Sequence, residues 1–353
     1  MKITPLIGIV GTAFILSACG GGGGGSSTSA PSVPSPVTLP VAKQVLGYFT
    51  GSAASMTSAT SASTPITAVS IDVITVAADG SLSGTLPADL LASNQVNGKM
   101  SYACISNFGT TDFDPTIAHG ALVTNRAITL QNIIALAKTA NLAGINIDFE
   151  GIYPADRNAY TSFINDLAAQ LHAIHSNLML SVPAKTADSA NDTWTWPYDY
   201  AAFGNSADLI QVMTYDEHYS SGSPGPVAGS DWMLASLQYA VTQIPANKIL
   251  LGLPAYGYDW NLTAGSATSV AFKDIPALLA STGAIPQWDA QTNSAHIAYT
   301  ASDSSVHQVW YETVQGLQVK AQFAKNLDLG GISMWALGDE DTNFWNAVTA
   351  GIK

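Results

Sequence analysis

Eight short apolar runs recur along the chain and alternate with segments of helical period. They are residues 44–49, 68–76, 99–106, 144–150, 178–184, 208–215, 248–255 and 330–337. Between the fourth and fifth runs, an apolar stripe that begins at Tyr160 and Phe163 and ends at Ile174 has the spacing of an amphipathic helix. Strands that alternate with helices predict a parallel sheet, and eight apolar strands predict a closed (β/α)8 barrel of the α/β class, the TIM barrel.

The segment between the seventh and eighth strands is too long to be a simple crossover. Residues 255–310 contain strand-like and helix-like pieces of their own. We therefore expect a small α+β subdomain to be inserted there, within a barrel domain that covers residues 44–353.

The N-terminus has the pattern of an export signal. Lys2 precedes an apolar run over residues 3–16, which is too short to span a bilayer as a mature helix. The run leads into the sequence LSAC, which resembles a bacterial lipobox and implies that residues 1–18 are removed and that Cys19 carries a lipid. An ordinary secretory signal with a chance cysteine is the alternative.

The residues after Cys19 suggest where the chain is held. Gly20 rather than Asp follows the cysteine, which by analogy with Gram-negative lipoproteins favours the outer membrane. A surface-exposed or secreted cell-envelope location is the alternative. Residues 19–43 are rich in Gly, Ser and Pro and contain six consecutive glycines. Such a segment buries too little apolar surface to offset its ordering entropy, so we expect a tether.

The charge of the chain limits the kinds of polymer that it could bind, and its cysteine content limits the disulfide bonds that it could form. Twelve Lys and Arg against 25 Asp and Glu give a formal net charge of −13. A polyanion would be repelled, so no nucleic-acid partner is expected and a neutral polymer fits better. If Cys19 is lipidated, Cys104 is the only other cysteine and no internal disulfide can form. Its apolar surroundings favour a buried structural thiol.

The fourth strand candidate, GINIDFE, carries polar residues on alternate positions. As a strand it places Asn146, Asp148 and Glu150 on one face. Active sites of such barrels lie at the C-terminal ends of the strands, so both acids are expected at the barrel mouth. Neighbouring carboxylates repel when both are ionised, and burial raises their pKa further. One of them can therefore stay protonated near neutral pH and act as a general acid.

Two other interpretations of these acids are a solvated pair at a strand end and half of a metal site. Neither an HExxH motif nor paired-cysteine ligand spacing occurs in the sequence, which weakens the metal interpretation. No metal and no cofactor are predicted.

Several segments carry a resemblance to a known family. Residues 143–150 resemble the Asp-Gly-x-Asp-x-Asp-x-Glu signature of family 18 glycoside hydrolases, the chitinase-like barrels. GYF at 47–49, QVMTYDEH at 211–218 and GGISMWALG at 330–338 resemble further strands of that family. The resemblance extends from about Val45 to the C-terminus.

A narrower resemblance points to one branch of the family, which includes the spore-cortex-lytic N-acetylglucosaminidases. It rests on the segments MTYDEHYSSGSPGPVAG (213–229), ILLGLPAYGYDW (249–260) and VWYE (309–312). The signature itself departs from the family pattern, because Ala143 and Asn146 stand where the family has Asp. The loss of one buried negative charge at Asn146 should make Asp148 easier to ionise.

The resemblance implies a role for each matching residue. Glu150 is the acid that protonates the glycosidic oxygen and later the base that activates water. Asp148 holds the acetamide group of the substrate, and Tyr215 donates its hydroxyl to the acetamide oxygen. Asp216 helps to bind the same sugar, and Trp335 forms the apolar floor beneath it.

Further candidates for substrate contact lie around these residues. They are Tyr48, Asn146, Trp194, Trp196, Met213 and Glu217. The two tryptophans could stack on sugars or pack against a neighbouring loop. Glu217 could line the cleft or have no functional role.

The resemblance implies a retaining hydrolase of β-1,4-linked N-acetylglucosamine polymers, with the acetamide oxygen of the substrate as the nucleophile. Chitin and the glycan strand of peptidoglycan both fit. The alternative is a non-catalytic sugar-binding barrel, although such lectins typically lack the acid that Glu150 supplies. An endo-acting enzyme on N-linked glycans stays open as a third possibility. We expect a monomer.

Overall fold

The computed structural model describes residues 43–139 and 142–353. The predicted signal peptide, Cys19 and the tether up to residue 42 lie outside the described residues. Within the described part, none of the helices has both the length and the apolar character needed to cross a membrane.

The strands and helices alternate as the sequence predicts. The strands are β1 (Gln44–Phe49), β2 (Ala68–Val76), β3 (Leu82–Ser83), β4 (Met100–Ser106), β5 (Gly144–Asp148), β6 (Asn177–Pro183), β7 (Leu209–Met213), β8 (Ile249–Pro254), β9 (Tyr256–Asn261), β10 (Ser266–Ala271), β11 (Gln287–Asp289), β12 (Ser294–Thr300), β13 (Val306–Tyr311) and β14 (Gly331–Trp335). The helices are α1 (Ala53–Thr60), α2 (Ala88–Val96), α3 (Pro115–His119), α4 (Arg126–Thr139), α5 (Arg157–His172), α6 (Tyr200–Ser206), α7 (Ser230–Gln243), α8 (Ile275–Thr282), α9 (Val314–Asn326) and α10 (Thr342–Ile352).

In the part of the chain that the structure describes, eight parallel strands close into a barrel. Their order is β1-β14-β8-β7-β6-β5-β4-β2, and β2 pairs with β1 to complete the ring. The short β3 adds an antiparallel hairpin to β2. The prediction of a (β/α)8 barrel is confirmed, and each of the eight predicted strands overlaps an observed one.

The alternation in GINIDFE separates the core from the site. Ile145, Ile147 and Phe149 are fully buried outside the barrel ring, where the Phe149 ring lies 6.4 Å from that of Tyr160 and 6.3 Å from that of Phe163. These two α5 residues belong to the predicted apolar stripe, and both are fully buried. Because successive strand residues point to opposite faces, Asn146 and Asp148 face the barrel interior.

An insertion separates β8 from β14, as predicted. Its antiparallel sheet has the order β10-β9-β13-β12-β11, and α8 packs on it through an apolar cluster that includes Ile275, Ile297 and Val309. A fully buried ion pair joins this subdomain to α9: Lys320 Nζ lies 2.5 and 2.6 Å from the Glu312 carboxylate oxygens. A buried pair tolerates little displacement, since a separated charge would be left without a partner.

Candidate active site

Side chains at the C-terminal ends of the barrel strands form a buried polar floor. Asn146 is fully buried, and its Nδ2 lies 3.0 Å from Ser70 Oγ, 3.1 Å from Tyr48 Oη and 3.2 Å from Ser181 Oγ. These partners come from β2, β1 and β6. Asn146 therefore ties several strands together beneath the predicted catalytic pair.

A second set of hydrogen bonds leads from this floor to Tyr215. Tyr48 Oη donates to Gln211 Oε1 at 3.1 Å, and Gln211 Nε2 donates to Tyr215 Oη at 3.0 Å. Burial and the charge of Asp148 raise the pKa of Tyr215, so its hydroxyl stays protonated. Because Tyr215 Oη accepts from Gln211, its own proton is left to donate elsewhere. No acceptor for it occurs among the described residues.

Asp148 is the last residue of β5 and is only 4% exposed. Within the described part of the chain, its Oδ1 has no hydrogen-bond partner. Burial, and then the nearby Asp72, raise the pKa of Asp148 to about 8, against a smaller lowering by a hydrogen bond with Ser181. The pKa of Asp148 is thus well above its usual value.

Glu150 lies two residues beyond the end of β5, so the sequence prediction made this strand slightly too long. Asn107 holds its backbone on both sides: Asn107 Oδ1 accepts the Glu150 N–H at 2.8 Å, and Asn107 Nδ2 donates to the Glu150 carbonyl oxygen at 2.8 Å. Burial and the charge of Asp148 raise the pKa of Glu150 well above its usual value. A carboxyl group that stays protonated near neutral pH can serve as a general acid.

Two residues that the sequence analysis did not select for the site adjoin Asp148. One carboxylate oxygen of Asp72, one of Asp148 and Cys104 Sγ all lie within 4.8 Å of one another. Burial raises the pKa of Asp72 to about 6 and that of the Cys104 thiol well above its usual value. Among the described residues, this is the set that could hold a metal ion by spacing, but a protonated thiol is a poor metal ligand.

Asp216 receives two hydrogen bonds from the insertion. Tyr256 Oη donates to Asp216 Oδ1 at 2.6 Å, and Tyr258 Oη donates to the same atom at 3.1 Å. Desolvation raises the pKa of Asp216, while these two hydrogen bonds lower it. Both tyrosines belong to β9, so the insertion orients this carboxylate.

Trp335 ends β14 and is half-buried. Its ring centroid lies 5.4 Å from that of Tyr48 at an interplanar angle of 50°. The peptide bond between Trp335 and Ala336 is cis. Met213, the last residue of β7, is also half-buried. Trp335 and Tyr48 thus place an aromatic surface next to the polar floor.

Comparisons with known proteins agree with this geometry. Residues 93–341 match the model of the glycosyl hydrolases family 18. The chain belongs to glycoside hydrolase family 18. It is a family 18 glycoside hydrolase with the fold that the family signature implied.

Three relatives illustrate the family likeness. The uncharacterized glycosylase YvbX of Bacillus subtilis (strain 168) is 38% identical over 317 residues, which cover 88% of this chain and 92% of YvbX. The crystal structure of a chitinase from Chromobacterium violaceum ATCC 12472 is 39% identical, with a TM-score of 0.84 over 88% of this chain and 99% of that one. The spore cortex-lytic enzyme SleL of Bacillus megaterium QM B1551 is 25% identical, with a TM-score of 0.81 over 88% of this chain and 74% of SleL.

The two tryptophans of the loop after β6 have different surroundings in this family 18 barrel. Trp194 is 50% exposed and lies beside Gly151, because a Cβ built on that glycine would be 3.8 Å from Trp194 Cζ3. Trp196 is half-buried, and the Arg157 guanidinium carbon lies 4.0 Å from its ring centroid. Trp194 therefore has an exposed ring beside Gly151, while one face of Trp196 is covered.

Glu217 is engaged by the backbone that follows it. Its Oε2 accepts the Gly229 N–H at 2.8 Å, and desolvation raises its pKa. This contact fixes the loop that runs from Glu217 to Gly229, directly after Asp216. In the structure, the Glu217 side chain thus holds the loop that follows Asp216.

Sequence reasoning missed several residues that shape the site. They are Asp72, Asn107, Gln211, Tyr256 and Tyr258. A usable signal existed for Asp72, because Ser70 and Asp72 alternate with apolar residues in β2 just as the acids do in β5. No comparable pattern marks Asn107, which lies in a loop.

Proposed function

We propose that this family 18 enzyme is a retaining hydrolase of β-1,4-linked N-acetylglucosamine glycans that uses the acetamide group of the substrate as nucleophile. The observation that carries the proposal is a matched pair of free hydrogen-bonding groups beside Glu150. Asp148 Oδ1 is a buried acceptor without a partner, and the Tyr215 hydroxyl is a donor without an acceptor among the described residues. An acetamide offers one N–H donor and one carbonyl acceptor, so it complements both groups.

The first step breaks the glycosidic bond. Glu150 gives its proton to the glycosidic oxygen, and the acetamide oxygen forms a bond to C1 as the leaving group departs. Positive charge develops on the acetamide as this bond forms. Asp148 stabilises that charge and accepts a hydrogen bond from the acetamide N–H, while Tyr215 orients the acetamide oxygen.

The second step returns the enzyme to its starting state. The Glu150 carboxylate takes a proton from water, and the water oxygen attacks C1 as the bond to the acetamide oxygen breaks. Two displacements at C1 leave the β configuration of the product unchanged. Neither step requires a nucleophile from the protein.

Chitin and the glycan strand of peptidoglycan share the chemistry that this site would recognise. The names of the relatives support both, since one is a chitinase and another a cortex-lytic enzyme. Trp194 beside Gly151 and Trp335 over the polar floor supply aromatic surfaces on which sugar rings could stack. We infer that the protein acts as a monomer on a polymer of this class.

The test is to incubate the full-length protein with chito-oligosaccharides, purified peptidoglycan and a high-mannose glycopeptide, and to identify the products by mass spectrometry. We expect cleavage next to N-acetylglucosamine, with the β anomer formed first in proton NMR spectra. A fully de-acetylated oligomer of equal length is the matched control and should turn over very slowly. Rapid cleavage of that oligomer, or first formation of the α anomer, would overturn the acetamide mechanism. Binding without cleavage of any glycan would favour a lectin.

We also infer that the mature protein is a cell-envelope lipoprotein anchored through Cys19, in the outer membrane of a Gram-negative bacterium. Support comes from the LSAC sequence, the preceding apolar run and Gly20. An anchored enzyme could remodel the glycan of its own wall or degrade external polymer.

A further inference from the structure

We propose that Asp72 is the positioning residue of Asp148. It supplies from β2 the second carboxyl group that the family signature places at position 146, and it exchanges a proton with Asp148 during the reaction. The role in catalysis rests on the proposed function. The pairing of the two carboxyl groups does not, and it can be measured without substrate.

Position 146 does not provide an acidic partner in this chain. Asn146 is fully buried, and its Nδ2 points to the oxygens of Ser70, Tyr48 and Ser181. An amide has no proton to exchange near neutral pH. An acidic partner of Asp148 can therefore come only from another strand, and Asp72 on β2 is the nearby acid that the structure offers.

The strand register places Asp72 where it can take that role. Asp72 is paired with Cys104 on β4, and Cys104 is paired with Asn146 on β5. The three side chains therefore form one row across neighbouring strands. The pairing of β2 with β4 is irregular between Asp72 and Ile74, and a bulge of this kind redirects side chains.

The row ends in a compact cluster under the barrel mouth. One oxygen of Asp72, one of Asp148 and Cys104 Sγ lie within 4.8 Å of one another, and the thiol and Asp148 are buried. One buried and one half-buried carboxylate at this separation repel each other when both are ionised. A single shared proton removes the repulsion, and the pair then titrates as a unit.

Other titratable groups lie close enough to Asp148 to interact with its charge, so a pH experiment has to take them into account. Besides Asp72 they are Tyr48, Cys104, Glu150, Tyr160, Tyr198 and Tyr215. Burial raises the pKa of the phenols and of the thiol, so these groups stay neutral through the neutral range. Glu150 is the remaining acid, and it is unchanged in each variant used in this experiment.

The proton balance of the reaction then closes without an outside donor. Before the reaction the shared proton lies on Asp148, which is the more deeply buried of the two carboxyl groups, because burial favours the neutral form. As the acetamide oxygen bonds to C1 and becomes positively charged, the proton passes from Asp148 to Asp72. Asp148 is thereby ionised at the moment when a negative charge is useful. The proton returns when water completes hydrolysis.

The kinetic test uses Asp72→Asn and the exchange variant Asp72→Asn/Asn146→Asp, which moves the carboxyl group back to the signature position. We expect Asp72→Asn to lower kcat about 10- to 100-fold with KM nearly unchanged. The acid limb of the kcat profile should move, because in wild type it reports protonation of Asp72, the proton acceptor, and in the variant it reports protonation of Asp148 alone. The exchange variant should recover most of the lost kcat.

Asp208→Asn is the matched control. Asp208 lies just before β7, at the opposite end of the barrel, and accepts hydrogen bonds from His172 and the Leu178 N–H. The Asp208→Asn substitution should leave kcat and the pH profile of kcat unchanged. A loss of kcat in Asp72→Asn without a change of pH profile, and without recovery in the exchange variant, would show a merely structural role. Wild-type kinetics in Asp72→Asn would overturn the proposal outright.

A second measurement keeps the inference independent of the substrate. The pKa values of Asp72 and Asp148 are raised in the folded state, so these groups do not destabilise the fold at low pH, and they destabilise it increasingly as pH rises towards about 8. We expect Asp72→Asn and Asp148→Asn each to raise Tm at pH 9 and to have little effect near pH 4. The double variant should gain clearly less than the sum of the single gains. Additive gains would contradict the pairing, whereas failure of wild type to cleave any glycan would contradict only the proposed function.

Discussion

The Asn107 side chain makes the two hydrogen bonds to the Glu150 backbone that a neighbouring strand would otherwise make. Its amide accepts the Glu150 N–H and donates to the Glu150 carbonyl oxygen, both at 2.8 Å. Glu150 lies beyond the last paired residue of β5, where the ladder no longer holds the backbone. Asn107 comes directly after β4, the strand next to β5, so it extends the pairing by one side chain. The acid is therefore held at the barrel mouth without being part of the sheet.

Asn107→Ala should lower kcat about tenfold, because the Glu150 backbone loses both hydrogen bonds and the acid is no longer fixed in position. Asn94→Ala is the matched control, since Asn94 is equally buried and donates to Ser101 Oγ at 3.0 Å near the start of β4. Both variants should lose stability of the order of 1–3 kcal/mol in urea unfolding. Equal losses of kcat in the two variants would mean that stability alone, and not the position of Glu150, is responsible.

Glu150→Gln should lower kcat by about 10² to 10⁴, because the amide cannot protonate the leaving oxygen. Affinity for oligosaccharides, measured by calorimetry, should be retained. In wild type, burial and then the charge of Asp148 raise the pKa of Glu150 well above its usual value. Activity should therefore fall as pH rises through that pKa, and this alkaline limb should be absent from any residual activity of the variant. Wild-type turnover in Glu150→Gln would refute the assignment.

Trp194 and Trp196 form a matched pair for testing sugar stacking. Trp194→Ala should raise KM for long chito-oligosaccharides roughly 2- to 10-fold, because a half-exposed ring beside Gly151 is lost. Trp196→Ala should instead lower stability by about 0.5–3 kcal/mol, because Arg157 loses the ring on which it lies. KM values and urea unfolding curves of both variants provide the measurement. Equal effects of the two substitutions on KM would remove the distinction.

Cys19→Ser should release the protein from the membrane fraction, because lipidation needs that thiol. Wild type should partition with membranes and enter the detergent phase. Cys104→Ser is the control, since the Cys104 thiol is buried in the barrel and should not affect partitioning. If Cys19→Ser stays with the membranes as wild type does, an ordinary signal peptide or another anchor must be considered.

The periodicity of the sequence was sufficient to predict the barrel. Each of the eight strands is an apolar run bounded by helical pattern, and hydrophobic burial is read directly from such spacing. The same alternation predicted that Asp148 and the core residue Ile147 would lie on opposite faces of β5. The exact end of the strand was not predictable, because only the ladder partners decide that Glu150 lies outside it.

Residues whose role depends on contacts between distant parts of the chain could not be predicted from the local sequence pattern. Gln211 looks like an ordinary polar residue of β7, and its link between Tyr48 and Tyr215 exists only after the barrel closes. Asp72 has a visible alternation with Ser70. Its proximity to Asp148 depends on the order of three strands and on an irregular pairing, neither of which a single strand encodes.

The two tyrosines of β9 connect the insertion to the candidate site, because both donate hydrogen bonds to Asp216. Tyr256 and Tyr258 hold the Asp216 carboxylate from a subdomain that lies 40 residues or more away along the chain. Removal of β9 would take away both of these partners of Asp216 and leave every residue of the barrel signature in place. The first strand of the insertion therefore decides how the Asp216 carboxylate is oriented, although it contributes no strand to the barrel.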